Sequence, residues 1–351
     1  MSPILYQIAK KFLFCLNPET AHELTLAGLR MADRMSLIPC FAKARVEDPI
    51  TIMGLKFPNR VGLAAGMDKE ANTFAAFAHL GFGSVEVGTL TPRPQPGNPK
   101  PRLFRCIPQQ AIINHMGINN PGVEEGVENI QSIHNFDGIL GVNISKNKTT
   151  PNEDARMDYL ECLRAVWKVA DYVTINFSCP NVPNLCDLAK AASAADLLAS
   201  LKSEQANLAN ETGRYVPIAM KVSPDMNEGQ IHELSNVFLE SQLDGLICTN
   251  TTTSRQGVEG HPAASESGGL SGKPLYNRAN ETLEAFAKDL QGNIPIIGVG
   301  GIMSADDAVA KIKAGASMVQ LYSGFVYHGP DLIWRTARAI KEQCPTTLIT
   351  K

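Results

Sequence analysis

No apolar stretch in these 351 residues reaches the roughly 18 needed to cross a bilayer. Nothing near the N-terminus has the charged start, apolar centre and small-residue cleavage site of a signal peptide. Neither a spanning helix nor an export leader is therefore expected. The eight cysteines (15, 40, 106, 162, 179, 186, 248 and 344) include no C-x-x-C pair and follow no regular framework. That argues against a disulfide scaffold and against zinc, so no metal centre is expected and most of the thiols read as small buried apolar groups. Basic blocks are missing too: the lysines and arginines are scattered and the net charge is −3 with a pI near 6.2, which excludes a nucleic-acid partner from the expectations. With 44% hydrophobic and 19% charged residues, the composition is that of a folded chain and not of a disordered one.

What is present starts with PILYQIAKKFLFCL at residues 3–16, an unusually apolar segment. After NPET, a second segment sets Leu24, Ala27, Gly28, Met31, Ala32 and Met35 at helical spacing. Asn17 suits the cap of that helix and Pro18 its first turn, where a missing N–H costs nothing. Residues 1–45 hold six basic side chains against three acidic ones, so this end carries +3 and the remainder −6. Two readings stay open for it: amphipathic helices resting on an anionic bilayer surface, or a helical hairpin packed on its own domain.

Residues 46–351 have a different rhythm. Short apolar runs end in Gly, Asn, Ser or Thr, and each is followed by a helical-looking stretch. The runs are VGLAAG (61–66), SVEVG (84–88), ILGVNIS (139–145), YVTINFS (172–178), IAMKVS (218–223), GLICTN (245–250), PIIGVGG (295–301) and MVQLYS (318–323). Continuously apolar strands alternating with helices imply a parallel sheet covered by helices, and eight such units predict an α/β fold, a closed (β/α)8 TIM barrel behind an N-terminal two-helix extension. The Pro-rich TPRPQPGNPKPR (91–102) reads as a long loop over the strand C-terminal ends.

In such a barrel the residues just past the strands share one site. Here they are AAGMDK with Lys69, then Thr89, Asn143, Asn176 with the Ser-Cys-Pro-Asn loop, Lys221, Thr249-Asn250-Thr251, Gly300-Gly301 and Tyr322-Ser323. Small residues let a flat ring lie on the backbone, and the loops after strands seven and eight commonly bind phosphate. A phosphorylated cofactor is expected.

These residues carry a resemblance to dihydroorotate dehydrogenase, the flavin enzyme of pyrimidine synthesis. It runs nearly the whole length through GLAAGMDK (62–69), GFGSVEVGTLTPRPQPGNPKPRLFR (81–105), NHMGINN (114–120), GVNISKNK (141–148), NFSCPN (176–181), TNTT (249–252), GGLSGKPL (268–275) and PIIGVGGI (295–302). The helical extension and the TPRPQPGNPKPRLFR stretch resemble the membrane-associated, quinone-linked class 2.

The resemblance implies FMN held by the backbone of Ala64, Ala65, Gly66, Met67 and Asp68, and by Thr89, Asn143, Asn176, Lys221 and Thr249. Gly272, Gly301, Tyr322 and Ser323 would lie near its phosphate. Lys221 would stabilise the anionic reduced ring. Dihydroorotate, and its product orotate, would meet Lys69 at the carboxylate and the amides of Asn114, Asn176, Asn181 and Asn250, with Thr251. The NHMGINN segment would contribute His115, Met116, Gly117 and Ile118. Quinone would approach His22, Arg105 and Tyr322. The implied location is peripheral, in contact with lipid on the cytoplasmic face of the inner membrane.

Cys179 takes the base position in this scheme, removing a proton from one ring carbon while a hydride leaves its neighbour. Pro180 helps hold that loop, and Cys248 reads as a packed core residue. Class 2 relatives usually carry Ser at the base position in a Ser-Ser-Pro-Asn-Thr loop, and Phe where this chain has Ile118. Cys179 with Val182 is typical of class 1. A fumarate- or NAD-linked class 1 activity, a flavin-dependent tRNA dihydrouridine synthase and a non-catalytic phosphate-binding barrel therefore remain as alternatives.

Overall fold

The computed structural model describes residues 3–178 and 188–345. Helices α1 (Pro3–Cys15), α2 (Pro18–Arg34) and α3 (Ile38–Phe41) come first. Pro18 opens α2, and the Asn17 side chain accepts from the Glu19 N–H at 3.0 Å, so the capping residues act as their sequence suggests. A hairpin of β1 (Ile50–Ile52) and β2 (Leu55–Phe57) follows, turned by Met53 and Gly54 at φ 53° and 77°. Positive φ at both turn residues matches the twist of the paired strands.

Barrel units follow in order: β3 (Val61–Leu63), α4 (Phe74–His79) and β4 (Ser84–Leu90). Next come the antiparallel β5 (Leu103–Cys106) and β6 (Ala111–Asn114), then α5 (Val123–Gln131), β7 (Ile139–Ile144), α6 (Ala155–Val166) and β8 (Tyr172–Asn176). After these stand α7 (Ala191–Thr212), β9 (Ile218–Val222), α8 (Glu228–Glu240), β10 (Gly245–Cys248), β11 (Gly269–Gly272) and α9 (Tyr276–Leu290). The chain closes with β12 (Ile296–Val299), α10 (Ala305–Lys313), β13 (Met318–Leu321), α11 (Ser323–His328) and α12 (Pro330–Gln343).

Eight strands close in the order β10-β12-β13-β3-β4-β7-β8-β9, and every adjacent pair is parallel. These are the eight apolar runs of the sequence. Being buried on both faces, they show no alternation. Inside the barrel, Ile52 and Phe57 of the hairpin pack in one cluster with Tyr172, Ala219, Ile247, Ile297 and Met318. The hairpin therefore plugs the end where the strands begin, and the opposite end is left for ligands. Gly141 makes room for the Tyr172 ring, since a Cβ there would lie 2.2 Å from the ring carbon Cζ.

Over that ligand end lies a second sheet, β11-β6-β5, in which Ser271 pairs with Ile112 and Gly272 with Ala111. The Pro-rich loop 91–102 is held beside it. The buried Arg102 guanidinium donates to the carbonyls of Pro96 and Asn98 at 2.6 and 2.8 Å, and to Glu19 of α2 at 2.7 Å.

The N-terminal helices lie against the barrel on one side only. Tyr6 donates to the Val326 carbonyl at 2.6 Å and Lys10 to that of Tyr327 at 3.1 Å, while Arg30 donates to Asn72 and Thr73. Leu26, Leu29 and Ala32 pack on the main core. The opposite face carries Ile8, Phe12, Leu24, Met31, Met35 and Leu37, all exposed, with Phe12 at 70%. Leu24, Met31 and Met35 of the expected apolar stripe thus face outward, whereas Ala32 of the same stripe packs on the core. No helix among the described residues is long and apolar enough to cross a membrane. Among the cysteines, 106, 162 and 248 are buried as expected, but Cys15 and Cys40 are exposed because both sit in the N-terminal helical segment. Cys179 and Cys186 lie outside the described residues.

Candidate active site

A cleft of about 170 Å³ opens at the C-terminal ends of the barrel strands. Ala64, Ala65 and Gly66 line it from β3, Thr89 from β4, Lys221 from β9, and Thr249, Asn250 and Thr251 from the end of β10. Gly272, Gly301, Tyr322 and Ser323 gather at another part of the wall, and Lys69, Asn114, Met116 and Ile118 complete it. Residues far apart in the sequence meet here because parallel strands deliver all their ends to one rim.

Other expected site residues stand behind or away from the wall. Asn143 and Asn176 are buried and connect to Thr89: the Thr89 hydroxyl donates to Asn143 Oδ1 at 2.6 Å, and Asn176 Nδ2 donates to Thr89 at 3.3 Å. Asp68 is fully buried and its carboxylate accepts the N–H groups of Asn72 and Thr73 at 3.1 and 2.8 Å. Burial pushes it up to about 6, and its role is to shape the loop that carries Lys69. Met67 lies in a separate apolar cavity. His115 turns to the Ser267 carbonyl at 3.0 Å, and Gly117 accepts from Gln95. Ser178 donates to the Lys221 carbonyl at 2.5 Å; Cys179, Asn181 and Val182 lie outside the described residues. Cys248 is wholly buried, which pushes its thiol far above the ordinary range.

Residues not anticipated also reach the cleft. Ser271 of β11, whose hydroxyl lies 2.8 Å from that of Ser323, comes with Leu103 and Ile112 from the second sheet. The sequence signal for Ser271 was available in GGLSGKPL; its approach depends on strand pairing between β6 and β11.

The lining suits a flat, phosphorylated cofactor. Lys221, only 7% exposed, lines the cleft and can meet a ligand acceptor or anion there. Gly301 (φ 74°) and Gly324 pack so tightly that an added Cβ would lie 2.3 Å from Tyr276 Cα and 2.0 Å from the Ile302 carbonyl oxygen. Backbone, not side chains, therefore lines that part of the wall.

A second cavity, about 220 Å³, lies between α1, α2 and the barrel. Its lining is mostly apolar (Ala9, Leu13, Phe14, Leu29, Met67, Phe325), and His22, Leu103, Ile112 and Tyr322 border both it and the cleft. Arg105 reaches it beside α1, donating to the carbonyl of Leu13 in the last turn and to that of Leu16 just past the helix end, with its guanidinium 4.7 Å from the Phe14 ring centre. Tyr322 donates to the Gly66 carbonyl at 3.3 Å. His22 Nε2 is 3.5 Å from Lys69 Nζ. Burial and the neighbouring ammonium lower His22 to about 3, and burial lowers Lys69 to about 8. At neutral pH the pair is an uncharged imidazole beside a cation.

Barrel, cleft and adjoining apolar cavity define a (β/α)8 protein whose strand-end cleft, carrying Lys69 and Lys221, shares a wall with an apolar chamber. The dihydroorotate dehydrogenase family model matches residues 49–344. A protein of Akkermansia muciniphila named dihydroorotate dehydrogenase (quinone) is 66% identical over 345 residues, 98% of this chain and 99% of that one. One of the same name from Teredinibacter turnerae is 50% identical over 336 residues, covering 96% and 99%. The ligand-free DHODH structure from Eimeria tenella has a TM-score of 0.84 at 35% identity, covering 94% of this chain and 96% of that one. The chain belongs to the dihydroorotate dehydrogenase family, whose members are flavoproteins.

Proposed function

We propose that this chain oxidises dihydroorotate to orotate in pyrimidine synthesis, with FMN as the bound flavin and quinone as final electron acceptor. The observation that carries the reading is the pairing of two cavities across shared residues: a strand-end cleft holding Lys69 and Lys221, and an apolar chamber under α1 and α2. A water-soluble acid and a lipid-soluble oxidant need such different approaches to one centre.

FMN, when bound, supplies the hydride acceptor. Lys221 holds a positive charge against it, and Ala64, Ala65 and Gly66 leave room for a flat ring. Lys69 pairs with the substrate carboxylate, while Asn114, Asn250 and Thr251, backed by Asn176 and joined by Asn181, meet the ring's donors and acceptors. Cys179 takes the proton from the ring carbon next to the one that loses hydride, which conserves both atoms and electrons. His22, Arg105 and Tyr322 meet the quinone.

In this reading residues 1–45 form the membrane and quinone-access unit and 46–351 the catalytic barrel. Six exposed apolar side chains on α1, α2 and the turn beyond, with net positive charge, support peripheral attachment to lipid on the cytoplasmic face of the inner membrane. The test is dihydroorotate oxidation with quinone, fumarate and NAD as alternative acceptors. Turnover with quinone alone is expected; turnover with fumarate or NAD but not quinone would replace the proposal with the class 1 activity.

A further inference from the structure

Glu86 is an acidic residue in the middle of the otherwise apolar strand β4. It is fully buried in the barrel, and among the described residues no basic side chain pairs with it. Its two carboxylate oxygens take three donors. Asn143 Nδ2 donates to Oε1 at 2.8 Å, and Tyr172 Oη and Gln320 Nε2 donate to Oε2 at 3.1 and 2.9 Å.

From Glu86 a series of hydrogen bonds runs to the rim of the cleft, and every one points the same way. The Thr251 N–H donates to Asn250 Oδ1 at 2.9 Å, Asn250 Nδ2 to Asn176 Oδ1 at 3.2 Å, and Asn176 Nδ2 to the Thr89 hydroxyl at 3.3 Å. Thr89 then donates to Asn143 Oδ1 at 2.6 Å, and Asn143 to Glu86. Amides and hydroxyls can each be donor or acceptor, so nothing inside the series selects its direction. The ends select it. A backbone N–H only donates and a carboxylate only accepts, so turning any one amide would set donor against donor or acceptor against acceptor. Linked hydrogen bonds in a low-dielectric interior reinforce a common direction.

We infer that Glu86 is a positioning residue: as the acceptor-only end of this series it fixes which way the amides of Asn143, Asn176 and Asn250 face, and so which atoms the site offers its ligands. One consequence is specific. The hydrogen of Thr89, which lines the cleft, is committed to Asn143, so Thr89 meets a ligand as an acceptor and selects an N–H there. Glu86 does not line the cleft. It acts through Asn143. The inference rests on the proposed dihydroorotate site.

The test is an orotate titration of the flavin-loaded protein, read from the perturbation of the flavin's visible absorbance. Glu86→Gln keeps the size of the side chain but lets it donate, so Asn143 is free to turn and donate to Thr89, whose hydrogen then swings away from Asn143 toward the cleft while the Thr251 end stays fixed; at least tenfold weaker orotate binding is expected. Tyr172→Phe removes a neighbouring donor and leaves the acceptor-only end intact, so binding within twofold of the parent is expected. The inference is overturned if Glu86→Gln binds orotate within twofold of the parent, or if Tyr172→Phe weakens binding as much as Glu86→Gln does. Should Glu86→Gln fail to accumulate as a folded flavoprotein, the double variant Glu86→Gln/Gln320→Glu returns a carboxylate to the cluster. Gln at 86 can then donate to it and keep its oxygen for Asn143. Binding within threefold of the parent supports the inference, and binding tenfold weaker in a folded, flavin-loaded double variant overturns it. A parent protein that shows no response to orotate would instead remove the proposed function.

Discussion

Orotate binding should weaken about tenfold between pH 7 and pH 9, and the reason is Lys69. The side chain lies under α2 with Nζ 3.5 Å from His22, and loss of hydration lowers its ammonium to about 8. Glu19, Asp68 and Glu70 pull it up, while Arg102 pushes it down. A carboxylate ligand binds the protonated form. Affinity is thus nearly full at pH 7 and falls as pH rises through about 8. About nine-tenths of Lys69 is charged at pH 7 and about one-tenth at pH 9, which gives the tenfold figure. Orotate is the better probe because binding it involves no proton transfer step. The assay is the flavin absorbance titration at half-unit steps from pH 6.5 to 9. Lys69→Met should bind weakly at every pH with a flat profile. A parent profile that is flat from pH 7 to 9, or a Lys69→Met profile that keeps the slope, would refute the reasoning.

Cys179→Ser should slow the reduction of bound flavin by dihydroorotate, and the parent should show a lower apparent pKa for that step than serine-type relatives, because a thiol ionises nearer neutrality than a hydroxyl. Stopped-flow bleaching of a Cys179→Ala protein at the parent rate would end the assignment. Deleting residues 1–45 should leave dihydroorotate able to bleach the flavin but abolish quinone turnover; undiminished quinone turnover in a steady-state assay would count against the access role. Gly301→Ala combines positive φ with a Cβ placed 2.3 Å from Tyr276 Cα. It should lower stability by about 2 kcal/mol or more and reduce flavin content, checked by denaturant unfolding and by the visible-to-ultraviolet absorbance ratio.

The barrel was legible because eight apolar runs ended in Gly, Asn, Ser or Thr, and parallel connection forces such ends onto one rim. Thr89, Lys221 and Asn250 could be placed from strand position alone. The second sheet was not legible as a sheet, since β11 pairs with β6 across most of the barrel's length and no local pattern encodes that register. Position along a strand also could not tell which residues line the cleft and which stand behind it. Thr89 does the first and Asn143 the second, although both end apolar runs, and a hydrogen bond between them settles the division. For the N-terminal helices, the spacing of Leu24, Met31 and Met35 indicated an apolar face but not what covers it.

By itself the sequence determined the repeat of strand and helix, the residue types at each strand end and the amphipathic character of the first helices. These follow from local periodicity and turn chemistry, which act within a few residues. Only the tertiary structure decided that His22 lies beside Lys69, that the apolar chamber shares a wall with the strand-end cleft, and that Glu86 terminates a directed series of hydrogen bonds. Such contacts depend on how far elements approach one another once the barrel closes, and burial then sets the charge state and orientation of groups whose side chains alone would allow several.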